Sequence, residues 1–163
     1  MTEPVAIGKT SGALRFGRRW PMLLGAGLVV VVDQVSKNLA LARGAVFFNP
    51  GIAFGLLADH PWLALAVAVT GLTAVVVLVL RTGPSPLTVL GLGMIIGGGL
   101  GNILDRVPTG RRPGVVDWIS IPGYGPHFNL ADVAIRSGVL LVIAGMASHL
   151  VVERRRRVTT PRT

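Results

Sequence analysis

Four long apolar segments alternate along the chain with short stretches rich in glycine, proline and charged residues. The segments cover residues 21–41, 62–80, 87–104 and 133–152. Each is close to the roughly 20 residues that an α-helix needs to cross the hydrocarbon core of a bilayer. The pattern predicts an all-α integral membrane protein, a bundle of four transmembrane helices with small extracytoplasmic loops and β-like elements between them.

The first segment differs from the others because polar residues interrupt its second half. Its uninterrupted apolar run, 22–32, ends at Asp33, and Lys37 follows four residues later. At membrane depth such groups must face protein or a wet cavity. The basic start, the short apolar run and Ala40-Leu41-Ala42 also resemble a cleavable secretory signal peptide. The polar insert and the three later spans favour a retained helix.

The third segment carries glycines at four-residue spacing, Gly93, Gly97 and Gly101. Glycines at this spacing form a small-residue face that lets two membrane helices approach closely. A dinucleotide-binding loop would need a preceding strand and a different glycine spacing, and neither is present. We therefore expect this segment to pack tightly against a neighbouring helix.

Composition supports lipid as the main solvent. Of the 163 residues 51% are hydrophobic and only 14% are charged, whereas about a quarter of the residues of a soluble domain are charged.

The formal net charge is +9, of which residues 1–19 hold +3 and residues 153–163 hold +4. We predict two basic cytoplasmic tails, 1–19 and 153–163, on either side of a membrane domain at 20–152. Because the membrane domain is nearly neutral, we expect no nucleic-acid partner. The absence of cysteine excludes disulfides and thiol chemistry.

The basic residues also predict an orientation. Four spans place both tails and the 81–86 connection on one side, with ten Lys and Arg, and the 42–61 and 105–132 connections on the other, with four. Basic loops stay in the cytoplasm. We expect a bacterial cell-membrane protein with both termini inside and both longer connections outside.

The acidic residues are gathered at the outer side of this bundle. They are Asp33, Asp59, Asp105, Asp117 and Asp132, and the two glutamates lie in the tails. Several have structural interpretations. Asp33 can pair with Lys37 one helical turn away, Asp105 can pair locally with Arg106, and Asp132 can form a capping box with Asn129 at the start of the fourth span.

Asp117 has no such structural interpretation. It lies in the strand-like apolar stretch 115–121, where ionisation is costly, so we expect its pKa to be raised. Two carboxylates in unlike environments, Asp117 and Asp132, suit acid–base hydrolysis with a water molecule, because one stays ionised while the other holds a proton.

Five motifs, in order and in register over residues 33–138, resemble those of the bacterial lipoprotein signal peptidases (signal peptidase II). They are DQVSK at 33–37, FNPGIAFG at 48–55, GGLGNILDR at 98–106, VVD at 115–117 and FNLAD at 128–132. The resemblance implies an intramembrane aspartic endopeptidase with Asp117 and Asp132 as its catalytic dyad. Its substrate would be a diacylglyceryl-modified prolipoprotein, cleaved before the lipidated cysteine near the outer face of the membrane. No metal or organic cofactor is implied.

The same resemblance implies a set of substrate-binding or supporting residues. Arg106 and the asparagines would bind substrate backbone or orient the dyad, while Asp33 and Lys37 would support the polar pocket. The full set is Asn49, Gly51, Asn102, Asp105, Arg106, Asn129, Asp33 and Lys37. The expected partners are prolipoprotein substrates and membrane lipid, and we expect a monomer.

Two other classes of function remain open at this point. A small channel or transporter subunit with a polar outer cavity would also bury Asp and Lys, although it predicts polar residues spread through several spans, and the second and fourth spans lack them. A non-catalytic packing subunit would use the aspartates only as caps and ion pairs. The histidines show no metalloprotease spacing.

Overall fold

The computed structural model describes residues 20–44, 46–52, 55–81, 85–107 and 113–159. These ranges contain four helices, α1 (Trp20–Arg43), α2 (Pro61–Arg81), α3 (Pro86–Arg106) and α4 (Leu130–Thr159). They also contain two short strands, β1 (Phe47–Asn49) and β2 (Val115–Asp117). The predicted four-helix architecture is confirmed. The C-terminal helix is longer than expected, because α4 continues through the first part of the Arg-rich segment to Thr159.

Three helices of the described chain are long and apolar enough to cross a membrane: Trp20–Arg43, Pro86–Arg106 and Leu130–Ser148. The crossing of α2 stays a prediction: its described apolar stretch is Pro61–Val77, and the uncharged apolar run of the sequence continues to residue 80. Large apolar side chains such as Leu28 and Leu140 are exposed on the outside of the bundle. Lipid is the solvent that suits these faces.

Helix α3 is the central helix and packs most extensively against α4 and α1. Gly93 and Gly97 face α1, where an added Cβ would lie 2.9 Å from the carbonyl oxygen of Met22 and 2.5 Å from that of Ala26. On the other side of α3, Gly91 meets Gly138 of α4, and a Cβ on either would lie 2.5 Å from the carbonyl oxygen of the other. The predicted close packing is confirmed, and it involves two faces of α3 rather than one.

The two halves of the bundle differ in chemistry. Near the start of α1 and α3 the core is apolar, with Met22, Ala26, Leu92 and Ile96 buried together. Toward the opposite end, buried polar side chains lie beside apolar ones such as Val116 and Phe128. The polar ones are Asp33, Lys37, Asn102, Asp105, Asp117 and Asn129.

The two strands lie at the polar end and pair antiparallel, with Phe47 opposite Asp117 and Asn49 opposite Val115. A bridge between Ile119 and Phe128 then closes the connection that leads to α4. This pairing confirms the predicted strand-like character of 115–117. It brings the first long connection against the second, beside the first turn of α4.

Candidate active site

Asp117 and Asp132 come together at the polar end of the bundle from different elements. Asp117 is the last residue of β2, where its side chain is buried, with only 4% exposed. Asp132 lies in the first turn of α4 and is half-buried. The positive end of the α4 dipole favours negative charge at that position.

Asn129 and Asp132 form the predicted capping box at the start of α4. The backbone N–H of Asp132 donates to Oδ1 of Asn129 at 3.0 Å, and the backbone N–H of Asn129 donates to Oδ2 of Asp132 at 3.3 Å. The second carboxylate oxygen, Oδ1, accepts from Nδ2 of Asn102 at 2.9 Å. The cap therefore fixes the orientation of the carboxylate, and its second oxygen is tied to α3.

The pKa of Asp117 is raised from its usual 3.8 to about 6. Burial is the largest cause and the negative charge of Asp132 adds to it, while hydrogen bonds from Asn129 and Asn49 and the charge of Lys37 act in the opposite direction. The expected raised pKa is confirmed. Because the charge of Asp132 acts on Asp117, and Asn129 donates to Oδ1 of Asp117 at 2.7 Å, the two carboxyl groups belong to one site.

Behind this pair lies an ion cluster that joins α1 to α3. Nζ of Lys37 is 2.7 Å from Oδ2 of Asp33 and 2.8 Å from Oδ2 of Asp105, and all three side chains are fully buried. The predicted pair of Asp33 with Lys37 is confirmed, and Asp105 has a cationic partner on another helix. Asp33 also accepts the backbone N–H of Ala131 at 2.9 Å and so helps to hold the start of α4.

Arg106 links the end of α3 to the first connection. Its guanidinium donates to the carbonyl oxygen of Asn102 at 2.9 Å and to that of Gly51. Its Nε is buried without a hydrogen-bond partner among the described residues. The group borders a cavity of about 180 Å³ that Pro50, Trp62 and Gly114 also line.

Asn49 shapes the turn that carries Gly51. The Oδ1 of Asn49 accepts the N–H of Gly51 at 3.0 Å, and its Nδ2 donates to the carbonyl oxygen of Ile52 at 3.3 Å. A Cβ on Gly51 would lie 2.9 Å from the carbonyl oxygen of Gly55. The two residues predicted from the sequence, Asn49 and Gly51, therefore form the turn that Arg106 contacts.

Gln34 belongs to the polar network, and the sequence reasoning did not select it. Its Nε2 lies 3.2 Å from Oδ1 of Asp105 and 3.1 Å from the carbonyl oxygen of Gly101. Its position inside the polar insert of the first span, between Asp33 and Lys37, was the available signal. Within the described ranges, no three His, Asp or Glu side chains are grouped so as to hold a metal ion.

Comparison with known proteins places this arrangement in a family. Residues 25–148 match the family model described as signal peptidase (SPase) II. The chain belongs to the signal peptidase II family. The matched span contains every residue of the site described above.

Named relatives and solved structures agree with this assignment. The lipoprotein signal peptidase of Rhodococcus jostii is 38% identical over 144 residues, which is 77% of this chain and 72% of the relative. That of Moorella thermoacetica is 40% identical over 140 residues, 75% of this chain and 89% of the relative. A bacterial membrane enzyme structure solved at 2.3 Å is 26% identical, with a TM-score of 0.66 over 88% of this chain and 94% of that one.

A second bacterial membrane enzyme structure, solved at 1.9 Å, has a TM-score of 0.65 and 30% identity over 77% of this chain and 92% of that one. Membership of the signal peptidase II family makes this chain a protease. The comparisons give no support to a channel or transporter subunit.

Proposed function

We propose that this chain is an intramembrane aspartic endopeptidase that removes the signal peptide from diacylglyceryl-modified prolipoproteins, with Asp117 and Asp132 as its catalytic dyad. The observation that carries the proposal is that Asn129 joins two carboxyl groups, one at the end of β2 and one in the first turn of α4. One is buried with a raised pKa and the other is half-buried at a helix N-terminus. Membership of the signal peptidase II family supports the same substrate class.

The environments of the two carboxyl groups favour different roles. Both oxygens of Asp132 accept N–H donors, from Asn102 and from the backbone of Asn129, and such donors stabilise a carboxylate. Burial raises the pKa of Asp117 to about 6, so a fraction of the enzyme still holds this proton at neutral pH, and that fraction is the active form. We therefore assign Asp132 as the general base and protonated Asp117 as the general acid.

The reaction then proceeds in two steps. Asp132 takes a proton from water as the oxygen attacks the scissile carbonyl carbon, and Asp117 gives its proton to the carbonyl oxygen. In the second step the C–N bond breaks, the proton on Asp132 passes to the leaving nitrogen of the cysteine, and the re-forming carboxyl group returns a proton to Asp117. The dyad ends in its starting state, so one water molecule is consumed and nothing else is needed.

The unpaired donor of Arg106 supports substrate binding at this place. A buried N–H without an acceptor carries a desolvation cost that a peptide carbonyl can relieve. The neighbouring cavity is lined by prolines, Trp62 and Gly114 together with the charged Asp105 and Arg106, and suits an extended segment whose backbone bonds to Arg106. One chain supplies both carboxyl groups of the dyad, so the proposed chemistry requires no second copy, and we propose that the enzyme acts as a monomer.

The orientation supports the same substrate. The basic tails favour cytoplasmic termini, which puts the polar end of the bundle at the outer face of the bacterial cell membrane. A lipid-anchored substrate presents its cleavage junction there after export, its acyl chains remaining in the bilayer. Water reaches the dyad from the same side.

The proposal is tested by cleavage of a diacylglyceryl-modified prolipoprotein by the purified enzyme in detergent or lipid. We expect Asp117→Asn and Asp132→Asn each to abolish cleavage, because one carboxyl group alone cannot both donate and accept the required protons. Asp59→Asn is the matched control, since Asp59 is an exposed aspartate in the first connection. Full activity in either dyad variant, with folding shown by an unchanged melting profile, would contradict the assignment.

A further inference from the structure

Lys37 makes one contact that charge balance does not require. Its Nζ lies 2.7 Å from Asp33 and 2.8 Å from Asp105, so two carboxylates already compensate the buried cation. The same Nζ also donates to Oδ1 of Asn102 at 3.0 Å. Asn102 in turn contacts Asp132, so this third bond connects the ion cluster to the dyad.

The bond helps to fix which way the Asn102 amide points. Its Oδ1 accepts from Lys37 at 3.0 Å and from Nδ2 of Asn129 at 3.2 Å, and its Nδ2 donates to Oδ1 of Asp132 at 2.9 Å. In the reversed orientation the NH₂ group would face two donors and the oxygen would face a carboxylate. All three contacts would become repulsive, so Lys37, Asn129 and Asp132 together select the observed orientation.

Asn129 extends the same alignment to the second carboxyl group. Its Nδ2 donates both to Oδ1 of Asn102 and, at 2.7 Å, to Oδ1 of Asp117. The positive charge of Lys37 also acts against the burial and the Asp132 charge that raise the pKa of Asp117. Oδ1 of Asn102 therefore connects Lys37 both to Asp132, through the same amide group, and to Asp117, through Asn129.

We infer that Lys37 is a positioning residue of the peptidase: by holding Oδ1 of Asn102 it helps to keep the amide N–H directed at Asp132 and so orients that carboxylate as the base. The inference rests on the proposed roles of Asp117 and Asp132. It assigns to a fully buried α1 side chain an effect on proton transfer, in addition to its place in the ion cluster.

Lys37→Met is the first test, since methionine has a similar length and no charge or donor. Without the cation the Asn102 amide keeps its contacts with Asn129 and Asp132 but loses one of the two donors to its oxygen, so it holds Asp132 less firmly. We expect kcat to fall about 100-fold with KM little changed. A lysine that only stabilises the fold would lower the melting temperature and leave the kcat of the folded enzyme unchanged.

A double-mutant cycle with Asn102→Asp tests the route. This variant keeps an oxygen for Lys37 but loses the N–H that serves Asp132. If Lys37 acts through Asn102, the kcat of the double variant should be within about threefold of that of the less active single variant, because the effects of groups that act as a unit are not additive. If each single variant loses about 100-fold in kcat, independent effects would multiply to about a 10⁴-fold loss. That result would overturn the inference.

Loss of Lys37 alone leaves two buried carboxylates without their cation, which can prevent folding. The variant Asp33→Asn, Lys37→Met, Asp105→Asn removes all three charges with little change in shape and serves as the folded alternative. We expect it to keep the low kcat, and wild-type kcat would overturn the inference.

If instead Asp117→Asn and Asp132→Asn stay active, the dyad assignment itself fails. If both are inactive while Lys37→Met keeps wild-type kcat, only the role of Lys37 fails.

Discussion

Asn129 has structural and proposed functional roles in the same set of bonds. Its side-chain oxygen caps α4, its backbone N–H binds Asp132, and its side-chain NH₂ binds Asp117. The sequence supported a capping role and a site role as alternatives. The two roles depend on the same contacts, because a cap that fixes the helix start also fixes the carboxylate in its first turn. An N-cap residue beside a candidate acid is thus a candidate for orienting it.

Asp117 should destabilise the folded protein at neutral pH. Its folded pKa of about 6 lies above the usual 3.8, so the stability associated with its protonated form is fully present below about pH 3.8 and is lost as pH rises through about 6. Asp117→Asn removes this dependence while keeping an acceptor for Asn129. We expect the variant to melt a few degrees above the wild type at pH 8, since 1 kcal/mol corresponds to about 2–4 °C for a chain of this size.

The measurement is thermal unfolding of both proteins in the same detergent from pH 4 to pH 8. The difference in melting temperature should shrink toward zero at the acidic end, because both proteins are then neutral at this position. Other titrating groups are common to the two proteins and cancel. A difference that is constant over the whole pH range, or a less stable variant at pH 8, would contradict the raised pKa.

At the scale of the helices, much of the fold could be predicted because membrane spans depend on local apolar runs. The four helices lie where the apolar segments are, and the glycine spacing of α3 indicated close packing. The end of the last helix could not be predicted in this way, because hydropathy marks where lipid contact ends, whereas α4 continues through polar residues to Thr159. A helix needs only its backbone bonds to continue past the bilayer.

The strand pairing and the contacts of the site were less accessible from sequence. Residues 47–49 pair with 115–117, and no local pattern specifies a partner so distant in the chain. Asp105 shows the same limit, since its neighbour Arg106 offered a local partner and the structure pairs it with Lys37 on α1. The motifs indicated which residues belong to the site but not which atoms meet.

Gly97 allows us to test the close approach of α3 to α1. A Cβ there would lie 2.5 Å from the carbonyl oxygen of Ala26 and 2.7 Å from Cβ of Val29. We expect Gly97→Ala to cost about 1–3 kcal/mol, as overpacking does, and to lower the melting temperature by several degrees. Gly27→Ala is the matched control, because nothing lies within 4 Å of its added Cβ. Equal stability of the two variants would show that the helices do not approach this closely.

At the scale of the whole molecule, the bundle separates packing from polar chemistry along its length. The apolar core around Met22 and Ile96 occupies one half, and the buried charges and amides occupy the other. Burying that many polar groups is tolerable only when they are bonded to one another. The glycine contacts of α3 make this possible, because they bring α1 and α4 close enough for Asp33 to reach the N–H of Ala131.

This separation makes the orientation of the molecule decisive for function, and the orientation can be measured directly. The chain has no cysteine, so single-cysteine variants need no altered background. Asp59→Cys marks the connection at the polar end, Ser11→Cys marks the N-terminal tail, and Thr82→Cys marks the connection after α2. We expect a membrane-impermeant maleimide to label Asp59→Cys in intact spheroplasts and the other two only after permeabilisation, because basic segments stay in the cytoplasm.

Each position tests a different part of the orientation. Labelling of Ser11→Cys in intact spheroplasts would place the N-terminal tail outside and would put the proposed site on the wrong side for an exported substrate. Labelling of Thr82→Cys there, with Ser11→Cys protected, would show that α2 (Pro61–Arg81) does not cross the membrane. Each variant should first be shown to cleave substrate, so that the labelling reports the folded enzyme.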